Sequence, residues 1–264
     1  MSKQLPFDLF VTRKYAKWTA LAKARSIPLI DAVGVSPVEE MIYFWGGYAR
    51  MGAVHMEESL ERLGWSDGAP SPTSYLSGGR TSAQQGSDHA KSEKAERSEK
   101  AEKAQLRPNP HWKQEEKDER AMLSTLRATV LRHLGHLDAA QTLLRTEVLE
   151  RYTYVSDIKP IKHADAWALP VAHYEMAVCY WLRSREGREG SRPLEGVSLE
   201  KEGGGEGGIG GIGGIGNDEA LRMCSKWLEG VGGAAESWEL EGRFGQRIGT
   251  GRETLRELGV GPPS

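Results

Sequence analysis

The sequence predicts an all-α chain of antiparallel helical hairpins interrupted by two low-complexity inserts, and three observations carry that prediction. Apolar residues recur at three- and four-residue steps between Gly, Pro and Ser turns, the helical period. No stretch alternates apolar and polar residues between turn signals as a strand would. Small residues sit where the two helices of a hairpin would cross, and the arrangement recurs further along the chain.

The elements follow in order. Asp8 to Arg25 places Val11, Tyr15, Trp18 and Ala22 on one helical stripe, which ends at Ser26-Ile27-Pro28. Ser36, Pro37 and Glu39 form an S-P-x-E start, with Ser36 as cap and Glu39 completing a capping box. That helix is expected to run through Met41, Ile42, Trp45 and Tyr48. A shorter one, His55 to Leu63, should stop at Gly64. Further on, a helix from near Trp112 to Leu134 breaks at Gly135, and a second runs from Asp138 to Glu150. A third spans Pro170 to Ser184. Asn217 or Asp218 caps a fourth through Trp227 and Leu228, and the last begins near Ala235 and falters at Gly249-Thr250-Gly251.

Composition divides the chain. Residues 1–65 hold the N-terminal helices. Residues 66–110 are rich in Ser, Gly, Glu and Lys, and Lys91 to Lys103 is nearly a Lys/Glu/Ser/Ala repeat. Residues 111–184 hold the central helices, residues 185–216 end in GGGEGGIGGIGGIG, and residues 217–264 complete the array. The two inserts cannot bury enough apolar surface to offset chain entropy and are expected to be disordered. Without them roughly 185 residues remain, enough for one domain, and nearly all of the eight Trp and eight Tyr fall there.

The hairpins carry a tetratricopeptide-like pattern. Ala128 and Ala140 are the small crossing residues, Leu131 and Leu144 the bulky neighbours, and Gly135 the turn. A second copy uses His173, Met176, Ala177 and Tyr180, then Ala220, Cys224 and Trp227. Its small residues, Ala177 and Ala220, lie 43 positions apart against 12 in the first copy, an excess close to the length of the Gly-rich insert. The insert therefore reads as a lengthened turn, tolerable because loop entropy grows only logarithmically. Trp238 and Gly242 begin a third copy, and an additional segment separates the first two copies around Tyr152 to Leu169. The fold class is thus an α-solenoid fragment of tetratricopeptide-like hairpins.

Four stretches, DLFVTRKYAKW, IDAVGVSPVEEMIYFWGGYARM, RATVLRHLGHLDAAQTLL and ADAWALPVAHYEMAVCYW, carry a family resemblance. They resemble the C-terminal part of the fungal inclusion body clearance family, a group of tetratricopeptide-type helical proteins; SPVEEMIYFWGGY is the most specific piece. The resemblance covers most of the chain outside the inserts. It implies longer relatives with a helical N-terminal region, so a fragment or truncated gene product is expected. It also implies a cytosolic and nuclear protein linked to the mitochondrial outer membrane, contact with lipid-droplet proteins, and a part in clearing aggregates after folding stress. It supplies no catalytic residues.

The residues themselves point the same way. A net charge of −2 offers no electrostatic case for nucleic acid. No apolar run reaches the ~20 residues of a membrane span, which leaves peripheral association through a partner. Cys179 and Cys224 read as core thiols in a reducing compartment. Gly208, Gly210 and Gly213 match a dinucleotide fingerprint but follow no strand, so no cofactor is expected. His133 and His136, even with Asp138, read as a helix C-terminus rather than a metal site. No catalytic set is found.

What remains is surface. The first helices of stacked hairpins line a groove, and its candidate residues are Thr125, Thr129, Arg132, His133, Tyr174, Val178 and Trp181. Trp181 is either an interface anchor or packed against a neighbouring helix. The expected function is a non-catalytic interaction scaffold in aggregate clearance. The rivals are a truncated form, non-functional or competing for the same partners, and a helical module binding a lipid or small molecule.

Overall fold

The computed structural model describes residues 5–67, 111–112, 117–152, 167–189, 217–234 and 241–261, and every regular element in them is helical. Helix α1 (Pro6–Arg25) begins with Pro in its first turn, where the missing N–H costs nothing. A 3₁₀ turn leads to α2 (Pro37–Phe44), and another to α3 (Ala53–Asp67). Then come α4 (Lys117–His133) and α5 (Leu137–Leu144), the latter continuing as a π-turn over Arg145–Leu149. The remaining helices are α6 (Ala168–Glu189), α7 (Asn217–Ala234) and α8 (Glu241–Glu257).

The two expected hairpins are present. Gly135 adopts φ +85 after α4, and the His136 N–H donates back to the Leu131 carbonyl at 2.9 Å. This left-handed cap satisfies the last carbonyls of α4 and reverses the chain. Ala128 and Ala140 are fully buried, with Leu131 and Leu144 packed around them. Without side-chain bulk at those two positions, α4 and α5 approach closely. Helices α6 and α7 form the most extensive helix–helix contact among the described residues. Met176, Ala177, Tyr180, Ala220 and Cys224 are all buried. Residues 190–216, 153–166, 68–110 and Trp238 lie outside the described residues, and with them most of both inserts and the glycine fingerprint.

Helix α6 runs past its expected end at Ser184 to Glu189, into the start of the stretch expected to be disordered. Four other features that differ from the sequence expectation have a local reason. The capping box does not form: Ser36 makes no side-chain cap hydrogen bond, and the Glu39 carboxylate is held in the core by the Tyr48 hydroxyl (2.6 Å) and Arg62 Nε (2.7 Å). Helix α2 stops at Phe44 because Gly46 takes φ +68, which leaves Tyr48 in a separate 3₁₀ turn. Helix α3 passes through Gly64 to Asp67. There Arg127 grips the Asp67 carboxylate with both guanidinium nitrogens, at 2.5 and 2.6 Å, and the Ser66 hydroxyl donates to the Gly34 carbonyl. Helix α8 continues unbroken through Gly249, Thr250 and Gly251. A Cβ on Gly251 would stand only 3.2 Å from Leu228 Cδ1, so glycine is what lets α8 lie against α7.

The largest correction concerns α1. Val11 and Tyr15 of the expected stripe point outward, together with Leu5 and Leu9. The buried face is instead Phe10, Lys14 and Lys17. Lys14 Nζ lies 2.6 Å from Glu40 Oε2, and Glu40 Oε1 accepts from the Trp167 indole N–H at 3.2 Å. Lys17 Nζ meets Asp118 Oδ2 and Glu119 Oε1, both at 2.6 Å. Glu119 also accepts from the Val35 backbone N–H, an approach that a Cβ on Gly34 would block at 2.7 Å. Burial of isolated charges would be prohibitive, and this mutual neutralisation is what permits it. Glu39 and Glu40 are thus core residues that tie α2 to α1, α3 and the entry to α6 rather than a capping turn.

Candidate partner groove

The seven residues read as a groove in the sequence divide into three groups. Thr125 and Thr129 are closed off inside the bundle, a correction to their expected exposure. Their hydroxyls donate to the Ala121 and Thr125 carbonyls one turn earlier, so neither offers a group to a partner. An uncharged, short side chain can satisfy itself this way on a buried helix face.

Arg132 and His133 belong to a polar cluster beneath α2. Arg132 Nε donates to Glu175 Oε2 at 2.6 Å, and the Tyr43 hydroxyl donates to Glu175 Oε1 at 3.0 Å. Burial and the Glu175 charge hold the Tyr43 hydroxyl well above its ordinary range, so it stays protonated and donates. Burial, reinforced by the Arg132 charge, pushes His133 down to about 4. Its imidazole is therefore neutral at pH 7. Since a guanidinium can only donate, His133 Nε2 accepts from Arg132 Nη2 at 3.1 Å and the ring proton resides on Nδ1. The cluster ties α2, α4 and α6 together, and its members already serve one another.

Tyr174, Val178 and Trp181 are brought together. They lie at i, i+4 and i+7 on α6, one face of the helix. Across from them Arg247, Gly251 and Thr254 form the matching stripe of α8, and Cys224 and Leu228 of α7 make the floor. The space between holds about 280 Å³ and opens to solvent. Tyr174 is braced edge-on by Phe244, with ring centroids 4.8 Å apart at 70°. Burial pushes the thiols of Cys224 and Cys179 up to about 12, so neither is a thiolate nucleophile at neutral pH. Among the described residues no His, Cys, Asp and Glu cluster could hold a metal ion, and no helix is long and apolar enough to cross a membrane. The α8 half of the groove is not among the residues that the sequence pattern marks. Its i, i+4, i+7 spacing is present in the sequence, but the four glycines of α8 disguise a continuous helix.

A family profile described as Iml2/Tetratricopeptide repeat protein 39 matches residues 1–79. The inclusion body clearance protein iml2 of Aspergillus terreus is 34% identical over 97% of this chain. The protein of the same name from Aspergillus niger is 31% identical over 97% of it. The chain matches the Iml2/Tetratricopeptide repeat protein 39 family. It spans about 30% of the length of these two iml2 relatives. A more distant relative of the same name, from Yarrowia lipolytica, is 24% identical and again aligns with 97% of the chain. The Iml2 profile covers α1 to α3, the part docked by buried ion pairs, whereas the groove residues fall in the stretch matched by the iml2 relatives and not by the profile. No solved structure matches.

Proposed function

We propose that this chain is a non-catalytic, protein-binding helical scaffold acting in inclusion body clearance, with the trough between α6 and α8 as its partner site. One observation carries the reading. Three sequence-predicted contact residues, Tyr174, Val178 and Trp181, line a solvent-open apolar trough walled by α8. Aromatic side chains on rigid helices are the usual anchors of interfaces, because they bury much area while losing few rotamers. The names of the iml2 relatives support the clearance role. The resemblance extends it to partners among lipid-droplet proteins, and to a place in cytoplasm and nucleus with peripheral attachment at the mitochondrial outer membrane.

The test is site-specific photocrosslinking in cells under folding stress. A crosslinker at Val178 is expected to capture a defined set of proteins that a crosslinker at exposed Val54 does not, and Trp181→Ala should remove that set. Identical captures from the two positions would overturn the groove as partner site. A captured set without components of inclusions would overturn the clearance role.

A further inference from the structure

The trough is mostly apolar and holds one ionised side chain. Of all its lining residues only Arg247 carries a formal charge. Among the described residues it makes no ion pair, and its single hydrogen bond runs from Nη2 to the Phe44 carbonyl at 3.3 Å. Its guanidinium stands 5.9 Å from the Phe244 ring centroid and 6.0 Å from that of Tyr43, which holds the plane in place. Glu175, the carboxylate that also acts on Tyr43, is committed to Arg132 and the Tyr43 hydroxyl. A guanidinium has five donors in a fork that fits a carboxylate edge-on. Among the described residues most of that capacity has no partner, at the wall of a trough whose mostly apolar lining lowers the local dielectric around any charge pair made there.

Size selects among possible anions. Pockets that enclose a whole small molecule run from about 300 to 1,000 Å³. This trough, at about 280 Å³ and open to solvent, sits at the bottom of that range and does not enclose its occupant. It suits one or two anchor side chains of a segment whose backbone stays outside, the mode by which helical or extended peptides dock in helical grooves. We infer that the trough binds a peptide segment in which a bulky apolar side chain lies within one turn of a carboxylate. The apolar group seats over Leu228 between Val178 and Trp181, and the carboxylate pairs with Arg247. This inference rests on the reading of the trough as a partner site and adds the chemistry of what it holds.

Fluorescence anisotropy with the whole chain tests it. The probes are a fluorescein-labelled peptide, Glu-Glu-Leu-Phe-Glu-Leu-Leu-Glu, a counterpart with every Glu replaced by Lys, and unlabelled oleate as competitor. The acidic peptide is expected to bind roughly tenfold or more tightly than the lysine peptide, the scale of one charge-assisted pair. Arg247→Lys should keep that order and Arg247→Glu should reverse it. Val178→Glu, which places a carboxylate in the wall without touching Arg247's stacking partners, should abolish acidic-peptide binding; circular dichroism melts check that each variant folds. Equal affinity for both peptides, unchanged by Arg247→Glu but lost in Trp181→Ala, would overturn the acidic preference and leave the partner site standing. Binding insensitive to Trp181→Ala and Val178→Glu alike would overturn both. Binding of oleate but neither peptide would overturn the proposal in favour of a lipid site.

Discussion

Lys17 Nζ lies 2.6 Å from Asp118 Oδ2, and neither side chain reaches solvent. The pair joins residues about a hundred positions apart, and with Glu119 it anchors α1 to α4. Only Phe10 among the apolar side chains of α1 is fully buried, so the helix depends on its lysines for docking to a degree unusual in a bundle.

Lys17→Met should therefore be costly. It strands two adjacent carboxylates in the core without their cation, a change that typically costs about 3–5 kcal/mol. Urea unfolding is expected to show a loss of that order, and adding Asp118→Asn should recover part of it. A loss well under ~1 kcal/mol would show that the pair does not hold α1.

Ala140→Leu tests the first hairpin. Ala140 is fully closed off where α5 crosses α4, opposite the equally buried Ala128. Extra methylenes there force the helices apart, at a typical cost of about 1–3 kcal/mol. The thermal midpoint should drop by several degrees, and an unchanged midpoint would mean the helices do not cross at these residues.

The two half-buried imidazoles make stability fall toward acid. Burial, and for His133 also Arg132, holds His133 and His173 at about 4, against an ordinary value of 6.5. Between those values the unfolded chain binds more protons than the folded one, so stability declines as pH is lowered through that window and is unaffected above it. The urea midpoint should decrease from pH 7 to pH 5, and less so in the His133→Asn/His173→Asn double variant. Equal slopes in the two proteins would show that these histidines are not neutral in the fold.

The outer face of α1 exposes Leu5, Leu9, Val11 and Tyr15. Exposed apolar side chains grouped on one helix in this way bind hydrophobic dyes. The chain should enhance anilinonaphthalene sulfonate fluorescence. Leu9→Ser with Tyr15→Ser should reduce the signal while leaving stability within about 0.5 kcal/mol, as surface changes do. Undiminished dye binding in the variant would place the apolar surface elsewhere.

Local chemistry made much of this protein readable from its residues. The 3.6-residue period located most of the described helices. Gly135 between Leu134 and His136 marked a reversal, and small residues at 128, 140, 177 and 220 marked helix crossings, because only Gly and Ala permit close backbone approach. Tyr174, Val178 and Trp181 could be placed on one face by spacing alone.

The tertiary structure decided which charges go inside. Lys14, Lys17, Glu39 and Glu40 look like solvated positions because burial is prohibitive for each alone, and it becomes permissible only through partners brought in from α3, α4 and α6. That reversed the buried face of α1 and dissolved the expected capping box. It also took Thr125 and Thr129 out of the surface and gave the trough its second wall, since Arg247 and Thr254 face Tyr174 and Trp181 only once α8 packs across α7. Period and propensity act within a few residues of the chain, whereas the free energy of a buried charge is set by groups a hundred residues away.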